Sequence, residues 1–250
     1  MELPEYVSEP LARSPLVLVA AQVNFEEIGR EVTHGQARQF QRLLGAPWSE
    51  LASAPLMQAT MTPGGVVSEP NRQAYRLSTA DESWSLLINP NVVTVETRTY
   101  PGWAGFQQVF AAVARALAQV FDPAAEQRLG IRYVDQIPLP DGHREWTALV
   151  RESLLGLTQD PAFAGDVLAS DQRVLLQLEE DARCVLRHGQ LADPTTGKVG
   201  GVYLLDFDVY REGRPFDAAS AMDGVALLHR YVGKLFKACI TDELHKWLKG

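Results

Sequence analysis

Two stretches of the chain carry apolar residues at spacings of three and four over several turns, and each closes a run of strand-like segments. The first holds Trp103, Phe106, Val109, Phe110, Val113, Leu117, Val120 and Phe121. The second holds Val225, Leu228, Val232, Leu235, Phe236, Cys239 and Ile240. A helix with so wide an apolar stripe must bury it, and the segments before it offer a sheet to bury it on. These two helices commit the chain to an α+β architecture. Pro101 suits the first turn of the earlier one and Asp122-Pro123 stops it. Asp217 can cap the later one, and Thr241-Asp242-Glu243 provides a fresh cap or kink before Leu244, Trp247 and Leu248.

The segments before the first helix alternate with period two. Val17, Val19, Ala21, Val23 and Phe25 share one face of a strand spanning 16–25. Thr33 can cap a helix over 34–44, ended by Pro47. Strands are predicted at 56–62, closed by Pro63-Gly64-Gly65, and at 73–79, 83–89 and 92–100, with Asn89-Pro90-Asn91 as a turn. An antiparallel meander is the economical arrangement.

The second half repeats this order. Residues 129–137 read as a strand, 146–157 as a helix, 173–178 and 182–188 as a hairpin around Glu179-Glu180-Asp181, and 201–211 as a strand. Tyr203, Leu205, Phe207 and Val209 share one face of that last strand. Corresponding elements lie roughly 115 positions apart, a small-domain spacing. The expectation is two similar β-α-β(n)-α halves, 1–125 and 126–250, with mainly antiparallel sheets and a long helix ending each. With no Gly/Ser- or Pro-rich linker between them, they are expected to fold as one body.

Two further segments, with the Val92–Phe106 passage through Thr99-Tyr100-Pro101-Gly102-Trp103, carry a family resemblance. They are Ser14-Pro15-Leu16-Val17-Leu18-Val19-Ala20-Ala21-Gln22-Val23-Asn24-Phe25 and Gln127-Arg128-Leu129-Gly130-Ile131-Arg132-Tyr133-Val134-Asp135-Gln136-Ile137. The chain resembles a sporadically distributed family of uncharacterised prokaryotic proteins of similar length. In that family's pattern Asn and Arg stand where Asp135 and Gln136 stand here. The resemblance implies no activity and transfers no site residue; the scattered distribution suggests mobile-element or defence gene clusters, an association and not a mechanism.

The balance of 23 basic and 31 acidic residues, a net charge of −8, argues against uniform attraction to nucleic acid or an anionic membrane. A local basic stripe from Arg128, Arg132 and Arg173 is the exception to test. Cys184 and Cys239, 55 positions apart, read as reduced core residues. The acidic start Met1-Glu2-Leu3-Pro4-Glu5 is unlike a secretory signal, and no apolar run approaches the ~20 residues of a membrane span, so a cytoplasmic location is expected.

No G-x-S-x-G elbow, H-E-x-x-H helix, dinucleotide fingerprint or C-x-x-C pair is present. Asp193-Pro194-Thr195-Thr196-Gly197-Lys198 lacks the first glycine and the following hydroxyl of a phosphate loop and reads as a hairpin loop. Neither a cofactor nor a metal is implied. The polar ligand-binding candidates are Arg132, Asp135, Asp206 and Asp208. Asp206 and Asp208 sit two apart on a strand and project from one face about 7 Å apart, which reads as a solvated outer face. Asp135 shares a face with Leu129, Ile131 and Tyr133 and can point inward, where a carboxyl needs a partner or a raised pKa, although near the strand end before Pro138 a rim position or a turn-capping bond is the commoner arrangement. The five histidines do not assemble, and each reads as a surface or boundary residue. His188 closes a strand, and His229 and His245 are separated by 16 residues, about 24 Å of helix.

Trp84, Tyr100 and Trp103 gather around the central strand-to-helix junction, and Trp247 lies in the terminal turn. Interfaces are enriched in such residues, which makes these four the interface candidates. Ample core without a catalytic constellation favours a non-enzymatic protein-interaction component, with a protein partner or a second copy. The alternative is a small-ligand-binding protein or hydrolase, with a pocket between a curved sheet and a long helix.

Overall fold

A computed structural model describes residues 2–7, 9–27, 31–56, 59–62, 65–68, 72–163, 166–179 and 181–250. The elements are β1 (Leu16–Phe25), α1 (His34–Leu44), β2 (Glu50–Leu56), β3 (Ala59–Thr62), β4 (Gly65–Ser68), β5 (Arg72–Ser78), β6 (Trp84–Asn89), β7 (Val92–Thr97), α2 (Trp103–Phe121), β8 (Ala125–Pro138), β9 (Gln172–Gln177), β10 (Arg183–Leu191), β11 (Val202–Pro215), α3 (Ala218–Cys239) and α4 (Asp242–Lys249). Nine strands form one sheet in the order β2-β5-β6-β7-β1-β8-β11-β10-β9; β3 and β4 pair separately. The pairs β2–β5, β5–β6, β6–β7, β9–β10 and β10–β11 are antiparallel. The chain is thus α+β, as its periodicities require.

By its contacts the chain divides into two compact units. One comprises 20–130 and 212–226, the other 1–19, 131–211 and 227–250. β1, β8, β11 and α3 each contribute residues to both.

In the first of these units, Thr33 caps α1 through a complete capping box. Its hydroxyl accepts from the Gln36 backbone N–H at 3.2 Å while the Gln36 side chain accepts from the Thr33 N–H at 2.9 Å. α1 buries Ala37 and Phe40, and the Phe40 and Phe25 rings meet Phe121 of α2 at 6.2 and 6.0 Å. α2 buries Phe106, Phe110, Val113 and Leu117, the stripe visible in the sequence. Leu86, Ile88, Val93 and Val95 present the alternate positions of β6 and β7 to the core. The strand expected at 56–62 divides instead. Leu56 ends β2, 59–62 form β3, and Met57, Gln58, Pro63 and Gly64 lie outside the described residues, as does Glu180 of the later turn. β2 begins at Glu50, because Leu51 and Ala52 pair with Leu77 and Arg76 of β5 despite their weak strand propensity.

The second unit has one clear departure from its sequence reading. The helix expected at 146–157 is absent, replaced by a coil with 3-10 turns at Glu152–Leu154 and Gly156–Gln159. Its backbone is claimed by the end of α3. Val150 bridges Ile240, the Arg151 N–H donates to the Cys239 carbonyl, and the Leu149 carbonyl accepts from the Thr241 N–H. Trp146 is 2% exposed and donates its indole N–H to the Gly200 carbonyl at 2.8 Å, so the apolar spacing that suggested a helix serves a docked strap. Cys184 and Cys239 are both free and buried. Thr241 caps α4 by accepting from the Leu244 N–H, as its sequence indicates.

Candidate functional site

The polar candidates fall on two faces of the sheet. Tyr133 of β8 points toward α3, where its hydroxyl lies 3.0 Å from Nδ1 of His229. Side chains alternate along a strand, so Asp135 shares that helix-covered face and Arg132 projects from the other. Three of the four candidates, Arg132, Asp206 and Asp208, belong to the outer face; Asp135 is separated from them by the sheet itself.

On the outer face Arg132 meets Asp206 fork to fork. Nε donates to Oδ1 at 2.8 Å and Nη2 donates to Oδ2 at 2.6 Å. The Asp206 side chain is 7% exposed and that of Arg132 47%. The expected solvated position of Asp206 is corrected: its carboxylate is buried and answered by a guanidinium from the neighbouring strand β8. This pairing, aided by the Asp208 charge, holds the Arg132 pKa above its ordinary value. With both oxygens engaged, Asp206 is committed to a planar cation partner, and acid–base work with Asp208 would first have to break the fork.

One strand further, Arg187 stands opposite Asp206 in the β10–β11 register and opposite Arg173 in the β9–β10 register. It makes its own fork with Asp171, at 2.7 and 2.6 Å. Two like charges face each other at Arg173 and Arg187, and the Asp171 carboxylate relieves that repulsion. Sequence reasoning missed Arg187 and Asp171. Sixteen residues separate them, and only the hairpin register shows that they meet.

The helix-covered face of the same strands holds the ionisable interior. Asp135 is 7% exposed, and burial, with the Asp206 charge adding to it, pushes its carboxyl up to about 7. Burial, with Asp135 adding, pushes the Cys239 thiol up to about 12, and burial likewise raises Cys184. Both are inert thiols rather than nucleophiles. His188 is 2% exposed, which corrects the surface position expected at its strand end. It continues the inward alternation of Cys184 and Leu186, and that alternation was the signal for it. Its Nδ1 lies 3.2 Å from the Tyr203 hydroxyl, which donates to the Leu154 carbonyl at 3.0 Å. Tyr203 has then spent its proton, so the Nδ1–H of His188 is the donor between them. Burial lowers the pKa of His188 and brings His229 down to about 4, keeping both imidazoles neutral at neutral pH.

Of the aromatic interface candidates, three come together. Trp84, Tyr100 and Trp103 surround Phe106 with ring centroids at 5.6, 6.2 and 6.3 Å, and Phe106 itself is fully buried. Each of the three is half-buried, with one part on the core and one at the surface. Trp247 stands apart in α4, with the Arg13 guanidinium 5.1 Å from its ring centroid. Among the described residues no helix is long and apolar enough to cross a membrane. Compared with protein-family models and with curated proteins, the chain matches none.

Proposed function

We propose that the protein is a non-enzymatic interaction component that recruits a protein partner through its sheet edge. The observation that carries this reading is β9. Among the described residues it ends the nine-strand order, pairs with β10 alone, and leaves Val174 40% and Leu175 64% exposed. An edge strand presents a row of unpaired backbone donors and acceptors, and an apolar one is a template for a strand from another chain. The half-buried aromatic surface around Phe106 is a second place for contact. A cytoplasmic setting suits two free, buried thiols, and the resemblance suggests a defence or mobile-element cluster, by association.

Leu175→Lys tests the reading. Light scattering and co-purification from the native host are expected to show an assembly or a retained partner that this variant loses while its Tm stays unchanged. A strictly monomeric wild-type protein with no co-purifying partner would sink it.

A second reading, a small-ligand binder, is favoured by one observation: a buried carboxyl at Asp135 with its pKa near 7. Melting-temperature shifts across a ligand and metal panel would support it, and unchanged ligand response in Asp135→Asn would end it.

The strand order also supports an internal duplication. In the sheet β1 is followed by β7, β6 and β5, and β8 is followed by β11, β10 and β9. In each half the first strand lies beside the last one before a long helix, and the earlier strands follow outward in reverse order.

A further inference from the structure

Described residues of the segment preceding β1 are bound along α3 and α4 by complementary chemistry. Glu9 lies 2.9 Å from Nε2 of His245 and 2.7 Å from Nζ of Lys249. Lys237 donates to the Glu5 carbonyl at 3.0 Å, and Lys234 reaches the Glu5 carboxylate at 3.3 Å. The Arg13 N–H donates to the Leu248 carbonyl at 2.9 Å, and its guanidinium to the Trp247 carbonyl at 2.6 Å. Between the two glutamates, Tyr6 lies against Gly233 of α3. A Cβ at Gly233 would stand 2.2 Å from the Tyr6 ring, so the glycine makes a notch that the ring occupies. A glycine inside a 22-residue helix is unfavourable relative to alanine, and here it is the condition for that contact.

The hold on this arm is specific in pattern and weak in strength. The Glu5 side chain is 91% exposed and Val7 is 82% exposed. Exposed ion pairs of this kind are screened by salt and contribute little each. The arm also leaves space unfilled. One cavity of about 260 Å³ lies among Tyr6, Leu11, Phe236, Ile240 and His245, and another of about 390 Å³ among Glu2, Leu3, Leu178, Glu179, Tyr231 and Lys234. The α3–α4 face is therefore a formed surface with a row of lysines, a ring-sized notch and room that the arm does not fill, apolar in the smaller cavity and mixed in the larger.

We propose that this face is a peptide-docking groove whose partner is an extended acidic segment carrying a tyrosine flanked by glutamates, with the arm as its intramolecular competitor. The lysines Lys234, Lys237 and Lys249 select acidic sequence, and Gly233 admits the ring. A partner that fills the two cavities displaces the arm, whose local concentration otherwise keeps the groove closed. This inference is independent of the β9 edge: the groove can bind or fail to bind whatever that edge does.

The test uses the full chain and a fluorescent peptide with the sequence of residues 2–13, followed by anisotropy at low and high salt. Tyr6→Ala loosens the arm and leaves the groove intact, so it is expected to bind the peptide at least ~10-fold more tightly than wild type, and less tightly as salt rises. The double variant Tyr6→Ala/Gly233→Ala, whose arm no longer needs the notch, is expected to keep its Tm and lose the peptide. Equal affinity in wild type and Tyr6→Ala, or undiminished binding in the double variant, overturns the proposal. So does a Tyr6→Ala protein that dimerises without peptide by exchanging arms, since the occupant is then a second copy. Should Tyr6→Ala not fold, Glu9→Lys releases the arm from His245 and Lys249 and is judged by the same criterion.

Discussion

Replacing Asp135 by Asn probes the buried carboxyl through the pH dependence of stability. In the folded protein Asp135 titrates near 7, against 3.8 for the free side chain. Between these values the native state keeps a proton that the unfolded chain has released, so the wild type loses stability as pH rises through that window. About three pH units at ~1.36 kcal/mol each give about 4 kcal/mol, complete above pH ~7 and absent below pH ~4. His229 does the reverse. Its pKa falls from 6.5 to about 4 in the fold, so it costs stability as pH drops through that interval. The two slopes, each ~1.4 kcal/mol per pH unit, oppose one another between pH ~4 and ~6.5 and leave their joint contribution to the wild-type profile nearly flat there. Asp135→Asn is close in shape to the protonated acid and has no titration, so only the His229 slope survives. Urea unfolding followed by tryptophan fluorescence at fixed ionic strength reads this directly. The variant should match wild type near pH 4 and exceed it by up to about 4 kcal/mol at pH 8. Groups common to both proteins cancel in the difference, and a constant offset from pH 4 to 8 would refute a desolvated carboxyl at this position.

Two further substitutions test the geometry around it. Arg132→Ala strands the Asp206 carboxylate, 7% exposed, without its fork; a loss of about 1–3 kcal/mol in urea unfolding is expected, reduced from the fully buried case because the guanidinium is half in water, and largely recovered in Arg132→Ala/Asp206→Asn. Phe106→Ala removes the fully buried ring on which Trp84, Tyr100 and Trp103 rest, with an expected cost of about 3–5 kcal/mol and a shift in tryptophan emission; unchanged emission would mean that the aromatic cluster does not exist in solution.

The long helices were legible because their signal is redundant. Eight apolar positions in 103–121 agree with one stripe, and capping residues mark the ends of α1 and α4 within a residue. Strands of the meander were legible wherever one face was buried, since alternation then has a physical cause. At 146–157 the apolar spacing fitted a helix equally well, and what decided against one was hydrogen bonding to residues 239–241, about ninety positions away. Asp206 failed for a related reason. Its strand pattern placed it correctly on the outer face, but burial there depends on a guanidinium 74 positions earlier in the chain. The phase of Asp135 with Ile131 and Tyr133 allowed an inward position, while its place before Pro138 allowed a rim one equally; the burial decides for the first. The isolation of Asp135 from Arg132 follows from the same phase, three residues being an odd step along a strand.

The docked arm has a consequence in time. Arg13 is fixed by carbonyls at 247 and 248, and Glu9 by side chains at 245 and 249. The unit holding 20–130 needs only 212–226 from the later chain, whereas the arm's groove exists only once α4 has been made. During synthesis the arm therefore precedes its binding surface by more than two hundred residues. Throughout that interval it waits in solvent, where prolines at 4 and 10 and glutamates at 2, 5 and 9 keep it extended and soluble. Arm docking therefore follows the formation of α4 in the maturation of the chain.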